Sequence, residues 1–370
     1  MTVKYLFIDD EAGAPTKALI DGFNDTGLVY VSSLSFQKNE SFENVCKMIG
    51  EGLINGNYDG IILDLCLDGT GANSLYFKAP PLAQQIRTLS SEGKIKHIPV
   101  VLCSTNENYE LYIKDSTSHD LFDSFINKTT ISFEKESLKL QSLAEGYKLL
   151  NDNRLKEVYL NRTDFEALDD RVIDFLSGEK LSSFDIAQRI LKDLFYYSGI
   201  LIDEYVMAAR LGIDIKTSSI GWNKLKEELK RFASYNGVFS KGWSRFWADK
   251  VNAFFMEQSE GNPYQIMTAN ERVEILQKAG YDNLIPAKPI QYNNSTYYDT
   301  VCLVSKCPMD SMEGIPVEDI MSMKPWQENH YVSFFALAKG DYPEGKVCNA
   351  GIKRFNDIKL LIKDEQVQGK

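Results

Sequence analysis

Short apolar runs at residues 4–8, 28–33, 60–64, 98–103 and 124–127 alternate with helix-like stretches at 15–25, 41–54, 80–91 and 107–118. That alternation leaves few folds open. The runs are too short for core helices and too uniformly apolar for half-exposed strands, so they read as parallel strands covered on both faces. Pro15 suits the first turn of a helix, and Gly27 and Gly56 suit helix exits. A strand–helix alternation of this kind implies an α/β open sheet, whose ligands bind outside the carboxyl ends of the strands.

Chemistry-bearing residues stand at those ends. Tyr5-Leu6-Phe7-Ile8 runs into Asp9-Asp10-Glu11, and Ile61-Ile62-Leu63 into Asp64. Ile98-Pro99-Val100-Val101-Leu102 runs toward Ser104 and Thr105, and Phe125-Ile126 toward Lys128. Carboxylates gathered at one site repel and raise one another's pKa, and a divalent cation such as Mg2+, which prefers oxygen ligands, relieves that cost. A carboxylate can also attack phosphorus to give an acyl phosphate, whose added charge a lysine neutralises.

In this order, these motifs resemble the receiver domain of two-component response regulators, over roughly residues 3–150. The resemblance implies a five-stranded parallel sheet of flavodoxin-like type in 2-1-3-4-5 order. It makes Asp64 the phospho-acceptor, with Mg2+ held by Asp9, Asp10, Asp64 and the main-chain carbonyl of Cys66. Ser104, with Thr105 beside it, and Phe125 take the switch positions, and Lys128 pairs with the phosphoryl oxygens. Two departures stand out. Thr129 follows Lys128 where the family usually has proline, and Leu65–Pro81 is longer than the usual connection to the third helix.

Beyond the front region the pattern changes. An amphipathic helix is expected from Phe133 to about Asn153, and residues 154–280 read as mostly helical, with a helix start at Ser182-Ser183-Phe184-Asp185. After Gly280, prolines 286, 289, 308, 316, 325 and 343 break the chain, and strand-like pieces are expected at 297–304 and 331–338. The expected division is a receiver-like domain at 1–150, a helical domain at 151–280 and a mixed or strand-rich unit at 281–370. Residues 154–370 contain no glycine-rich phosphate loop and no nucleophile elbow, so no motif there points to a particular enzyme activity.

Charge narrows the partners. The net charge of -11 argues against general nucleic-acid binding by bulk electrostatics, and residues 1–149 carry -7 of it. One segment runs the other way. Between Trp222 and Phe255, Lys230, Arg231 and Arg245 are interleaved with aromatics such as Trp243, a combination that suits nucleic-acid contact, although helix cores with solvated basic faces give the same pattern. Asp203-Glu204 and Asp169-Asp170 are further paired carboxylates. Six scattered cysteines, with Cys302 and Cys307 the close pair outside the front domain, read as free thiols of a reducing cytoplasm. His97, His119 and His330 lie far apart and read as structural or surface residues. No apolar stretch is long enough to span a membrane, and no secretory segment is expected.

The function expected is therefore regulatory: Mg2+-dependent phosphorylation on Asp64 by a histidine kinase or another phosphodonor, controlling an output module through protein contacts, with a homodimer as one readout. Two alternatives stay open. One is a non-phosphorylated receiver-fold adaptor in a bacterial signalling or defence complex. The other is a nucleic-acid-binding or enzymatic effector in residues 154–370.

Overall fold

The computed structural model describes residues 2–11, 13–34, 36–69, 71, 73–108, 120–177, 181–318 and 323–368, with 361–368 as backbone alone. The helix expected over 107–118 falls mostly on 109–119 and, like His119, lies outside the described residues. The chain divides into two compact units. The first comprises Met1–Phe165, Ile173–Leu191 and Asn236–Trp243, and the second Glu166–Val172, Lys192–Tyr235 and Ser244–Lys370.

In the first unit the apolar runs form β1 (Val3–Ile8), β2 (Val29–Ser33), β3 (Gly60–Asp64), β4 (Val100–Ser104) and β5 (Ser124–Asn127). All neighbours pair in parallel, in the order β2-β1-β3-β4-β5, the expected flavodoxin-like topology. Every residue of β3 and β4 is buried, as continuous apolar strands require. The crossovers run through α1 (Ala14–Asn24), α2 (Phe42–Ile54) and α3 (Ala79–Ser91). Each start has a local cause. Pro15 sits in the first turn of α1, Ser41 accepts from the Asn44 N–H at 3.2 Å to begin α2, and Pro80-Pro81 open α3. Leu6, Ile8, Ile61, Leu63, Val45, Ile49, Leu82 and Ile86 fill one core cluster, each worth roughly 1.5–3 kcal/mol of burial.

A polar network closes the opposite end of the sheet. The Asp123 carboxylate, just ahead of β5, pairs with Arg87 of α3 at 2.8 Å. It also accepts from the Val100 N–H at 2.8 Å, the Tyr147 hydroxyl at 2.6 Å and Gln188 Nε2 at 2.8 Å. The Arg87 guanidinium stacks 3.9 Å from the Phe184 ring centroid. Tyr147 belongs to the helix Phe133–Asp152, and Gln188 and Phe184 to the helix Ser183–Gln188. The latter starts where expected, at Ser182, which forms a capping box with Asp185.

The second unit is built on a separate core around Met207, Trp222, Leu225, Phe255 and Leu276. Its strands are two-residue antiparallel pairs, and a long helix, Asn349–Gln368, follows them, so the region after Gly280 has the mixed character expected. Two elements differ from expectation. The strand expected at 297–304 is only Thr300–Val301. The strand expected at 331–338 ends at Val332 and gives way to the helix Phe334–Lys339. Ser333 is the cause: its hydroxyl accepts from the Ala336 N–H at 3.2 Å and nucleates a turn.

Candidate functional site

Parallel register sets the site. Ile8 pairs with Leu63, Asp64 with Cys103 and Ser104 with Asn127, so the strand ends finish level. Asp9 and Asp10 leave β1, Asp64 ends β3, Ser104 ends β4 and Lys128 follows β5. Ligand oxygens of Asp9, Asp10 and Asp64 lie within 4.8 Å of one another, and all three residues are buried. Lys128 Nζ bridges two of them, 3.0 Å from Asp9 Oδ2 and 3.0 Å from Asp64 Oδ1. The other oxygen of Asp9 accepts from the Glu11 N–H at 2.9 Å.

Asp10 has no ion pair among the described residues, and its Oδ2 accepts from the Gly71 N–H at 3.3 Å. Burial pushes its carboxyl above the ordinary value despite that N–H, and the Asp9 charge adds to the rise. Burial also raises Asp64, against the pull of the Lys128 ammonium. Burial alone would lower Lys128, but the Asp64 and Asp9 carboxylates outweigh it and hold the ammonium well above its ordinary range. Three carboxylates against one lysine leave two negative charges uncompensated in a buried site, and that imbalance fits a divalent cation.

The residues expected at the switch positions sit in different surroundings. Ser104 is 1% exposed, and its hydroxyl has no hydrogen-bond partner among the described residues. Thr105 Oγ1 accepts from the Asn108 N–H at 3.4 Å, a local turn contact. Phe125 packs partly buried against the core of the sheet. Burial pushes the neighbouring Cys103 thiol up to about 12 and keeps it protonated. Cys66 stands two residues beyond Asp64 in the segment leaving β3. Asn127 Oδ1 accepts from the Thr129 N–H at 2.9 Å and from its hydroxyl at 2.7 Å, so a side-chain turn shapes the chain after Lys128.

The long segment after β3 contributes contacts that sequence reasoning missed. Asn73 N–H donates to the Asp10 carbonyl at 2.9 Å, and Ser74 Oγ donates to the Gly69 carbonyl at 2.6 Å. A Cβ at Gly69 would lie 2.2 Å from Asp10 Oδ2, and one at Gly71 would lie 2.1 Å from the Asp10 carbonyl oxygen. Backbone therefore presses directly on Asp10. The spacing of Gly69 and Gly71 is the signal that marks this close approach.

The remaining sequence candidates are not brought together. Lys230 pairs with Glu227 at 2.6 Å, and Arg231 stands on the exposed face of the helix Ser219–Ala233. Arg245 donates to the Phe195 carbonyl at 2.7 Å. Trp243 belongs to the first unit, half-buried, with Lys139 Nζ 6.0 Å from its ring. Trp222, Phe246, Trp247 and Phe254 are core. Asp203 caps the helix Glu204–Arg210, Glu204 binds Trp222 Nε1 at 2.7 Å and Lys226 at 2.9 Å, and Asp169 pairs with Arg171. The only group of three or more potential metal ligands among the described residues is the Asp9, Asp10, Asp64 set, and no helix among them is long and apolar enough to cross a membrane. Comparison of the chain with protein-family models, curated proteins and solved structures returns no match.

Proposed function

We propose that the first unit is a receiver that accepts a phosphoryl group on Asp64 and uses the resulting charge to regulate the rest of the chain through protein contacts. The observation that carries this reading is Lys128 Nζ at 3.0 Å from both Asp9 and Asp64, with Asp10 in the same cluster. An Asp64 carboxylate oxygen attacks phosphorus, the bond from phosphorus to the leaving oxygen breaks, and the leaving group departs with the electron pair. Lys128 then has a phosphoryl oxygen to pair with in place of the free carboxylate. Asp9 holds Lys128 in position through that change. The orphaned Ser104 hydroxyl gains an acceptor, so the arriving phosphoryl group satisfies a buried donor that the free protein leaves unpaired. Asp9, Asp10 and Asp64, with the Cys66 carbonyl, would hold Mg2+, which supplies charge stabilisation to the transferring group when bound.

The test is labelling of the full chain with a small acyl phosphate and Mg2+, followed by intact mass. Wild type is expected to gain one phosphoryl group, and Asp64→Asn or removal of Mg2+ abolishes the gain. Labelling that survives Asp64→Asn, or no labelling of wild type, counts against the reading. A second reading, the unphosphorylated adaptor, draws on the Gly71 N–H already seated on Asp10. It is preferred if wild type takes no label and Mg2+ leaves its stability unchanged.

A further inference from the structure

Cys302 and Cys307 face each other across a hairpin in the second unit. The register pairs Thr300 with Met309 and Val301 with Pro308. On the next rung the Cys302 N–H donates to the Cys307 carbonyl at 3.0 Å. Lys306 N–H returns to the Cys302 carbonyl at 2.9 Å, with Lys306 at φ 57°. That is a bulge with its extra residue in the left-handed conformation, and it keeps Cys307 opposite Cys302. Opposed residues of an antiparallel ladder stand about 4.5–5.5 Å apart at Cα, inside the span a disulfide bridges. Directly opposed residues also share a face of the ribbon.

Both sulfurs interact with Ser305, in the loop between them. Cys307 Sγ lies 3.7 Å from the Ser305 carbonyl oxygen. Cys302 Sγ accepts from the Ser333 N–H at 3.3 Å and lies 3.5 Å from the Ser333 hydroxyl. Burial disfavours the Cys302 thiolate, but the Ser305 N–H and the Ser333 donors outweigh it and hold the thiol below its ordinary value. The two differ in access: Cys302 is enclosed with Met309 and Ala336, whereas Cys307 is half-buried. Both are free thiols.

We infer that Cys302 and Cys307 are a redox modification site, converted by a hydroperoxide into a cross-strand disulfide. The accessible Cys307 thiolate attacks the O–O bond, which gives Cys307 sulfenic acid and releases hydroxide or alkoxide. That base takes the Cys302 proton and leaves as water or alcohol. The Cys302 thiolate attacks the Cys307 sulfur, the S–S bond forms, and hydroxide departs and is protonated to water. Two thiols lose two electrons in total, and the peroxide is reduced by two. Bonding to Cys307 turns the Cys302 sulfur away from Ser333, so the Ser333 N–H loses its partner at the start of the helix Phe334–Lys339.

Lys306 lies between the two cysteines, which makes the test direct. The full chain is treated with hydrogen peroxide, free thiols are alkylated, and the chain is digested with trypsin. The expected result is that the two peptides flanking the cut at Lys306 stay joined until a dithiol reductant is added. Cys307→Ser, at a half-buried position, abolishes the link, and hydrogen exchange at the amides of 333–336 quickens in the oxidised wild type. Separate peptides with both cysteines alkylated would overturn the inference. So would Cys307 oxidised to the sulfinic acid beside a reduced Cys302, or a link from either cysteine to Cys348 instead.

Discussion

Asp10→Asn is expected to stabilise the protein without metal and to destabilise it relative to wild type with metal. Of the three clustered carboxylates, Asp10 is the one with no contact to Lys128 among the described residues. One of its oxygens lies within 4.8 Å of an oxygen of each of the other two carboxylates. At an effective dielectric of about 20, each such repulsion is about 3.5 kcal/mol. The bridging ammonium offsets roughly one of the two, and solvent screening reduces the remainder to about 1–2 kcal/mol. Asparagine removes that repulsion while its side-chain oxygen still accepts from the Gly71 N–H. A divalent cation at 100 times its dissociation constant returns about 2.7 kcal/mol to wild type, and the variant, short of one charged ligand, gains less. The order of stability therefore inverts. Calorimetry of the full chain in chelator and in Mg2+ reads the inversion, and hydrogen exchange at β1 and β3 assigns it to the first unit. A variant less stable than wild type in chelator, or one that Mg2+ stabilises as much as wild type, would refute the reasoning.

Further outcomes follow from the same geometry. Gly71→Ala drives a methyl into the Asp10 carbonyl and is expected to cost about 1–3 kcal/mol and to weaken the Mg2+ response, measured by thermal unfolding with and without the ion. Ser104→Ala removes a buried hydroxyl that has no partner, so it stabilises the unphosphorylated protein by up to about 1 kcal/mol in urea unfolding. Arg87→Met leaves the buried Asp123 without its cation and costs about 3–5 kcal/mol, read the same way. Asp10 and Asp64 both titrate above their unfolded values, so their contribution to stability is present below about pH 4 and is lost as pH rises through the raised native values. In chelator, the difference in stability between wild type and a variant with both residues changed to asparagine should widen over that rise, and a flat difference would contradict it.

The sheet was legible because its central strands, β3 and β4, are buried on both faces and written as apolar runs. The expected runs at 60–64 and 124–127 coincide with β3 and β5. The residues of the acidic cluster were legible for a related reason, since a polar residue at the end of such a run has nowhere to sit except the sheet's carboxyl edge. The second unit was less legible because its strands are two residues long, too short for any period to appear. Phe334-Phe335-Ala336-Leu337 looks like a strand by apolarity, and only the cap from Ser333 makes it a helix. The basic and aromatic side chains between Trp222 and Phe255 could not be divided into core and surface by composition. In the fold most of the aromatics are core, and Lys226 and Lys230 are matched with carboxylates. The grip of Gly71 and Asn73 on Asp10 joins residues 61 and 63 positions apart, a distance that no local pattern encodes.

One of the two outer strands of the sheet, β2, carries its own stopper. Asn24, at the end of α1, donates to the Val31 carbonyl at 3.0 Å and accepts from the Val31 N–H at 2.6 Å. Val31 lies in the middle of β2, which pairs with β1 on its other side. The side chain thus occupies the backbone groups that a sixth strand would need, much as a hairpin partner would. A segment from another chain cannot zip onto β2 through main-chain bonds without first displacing Asn24. Recognition on that side is confined to side chains, such as the half-exposed Tyr30, which can be read without adding to the sheet. Asn24→Ala would lift that restriction, turning a closed edge into a template for strand addition.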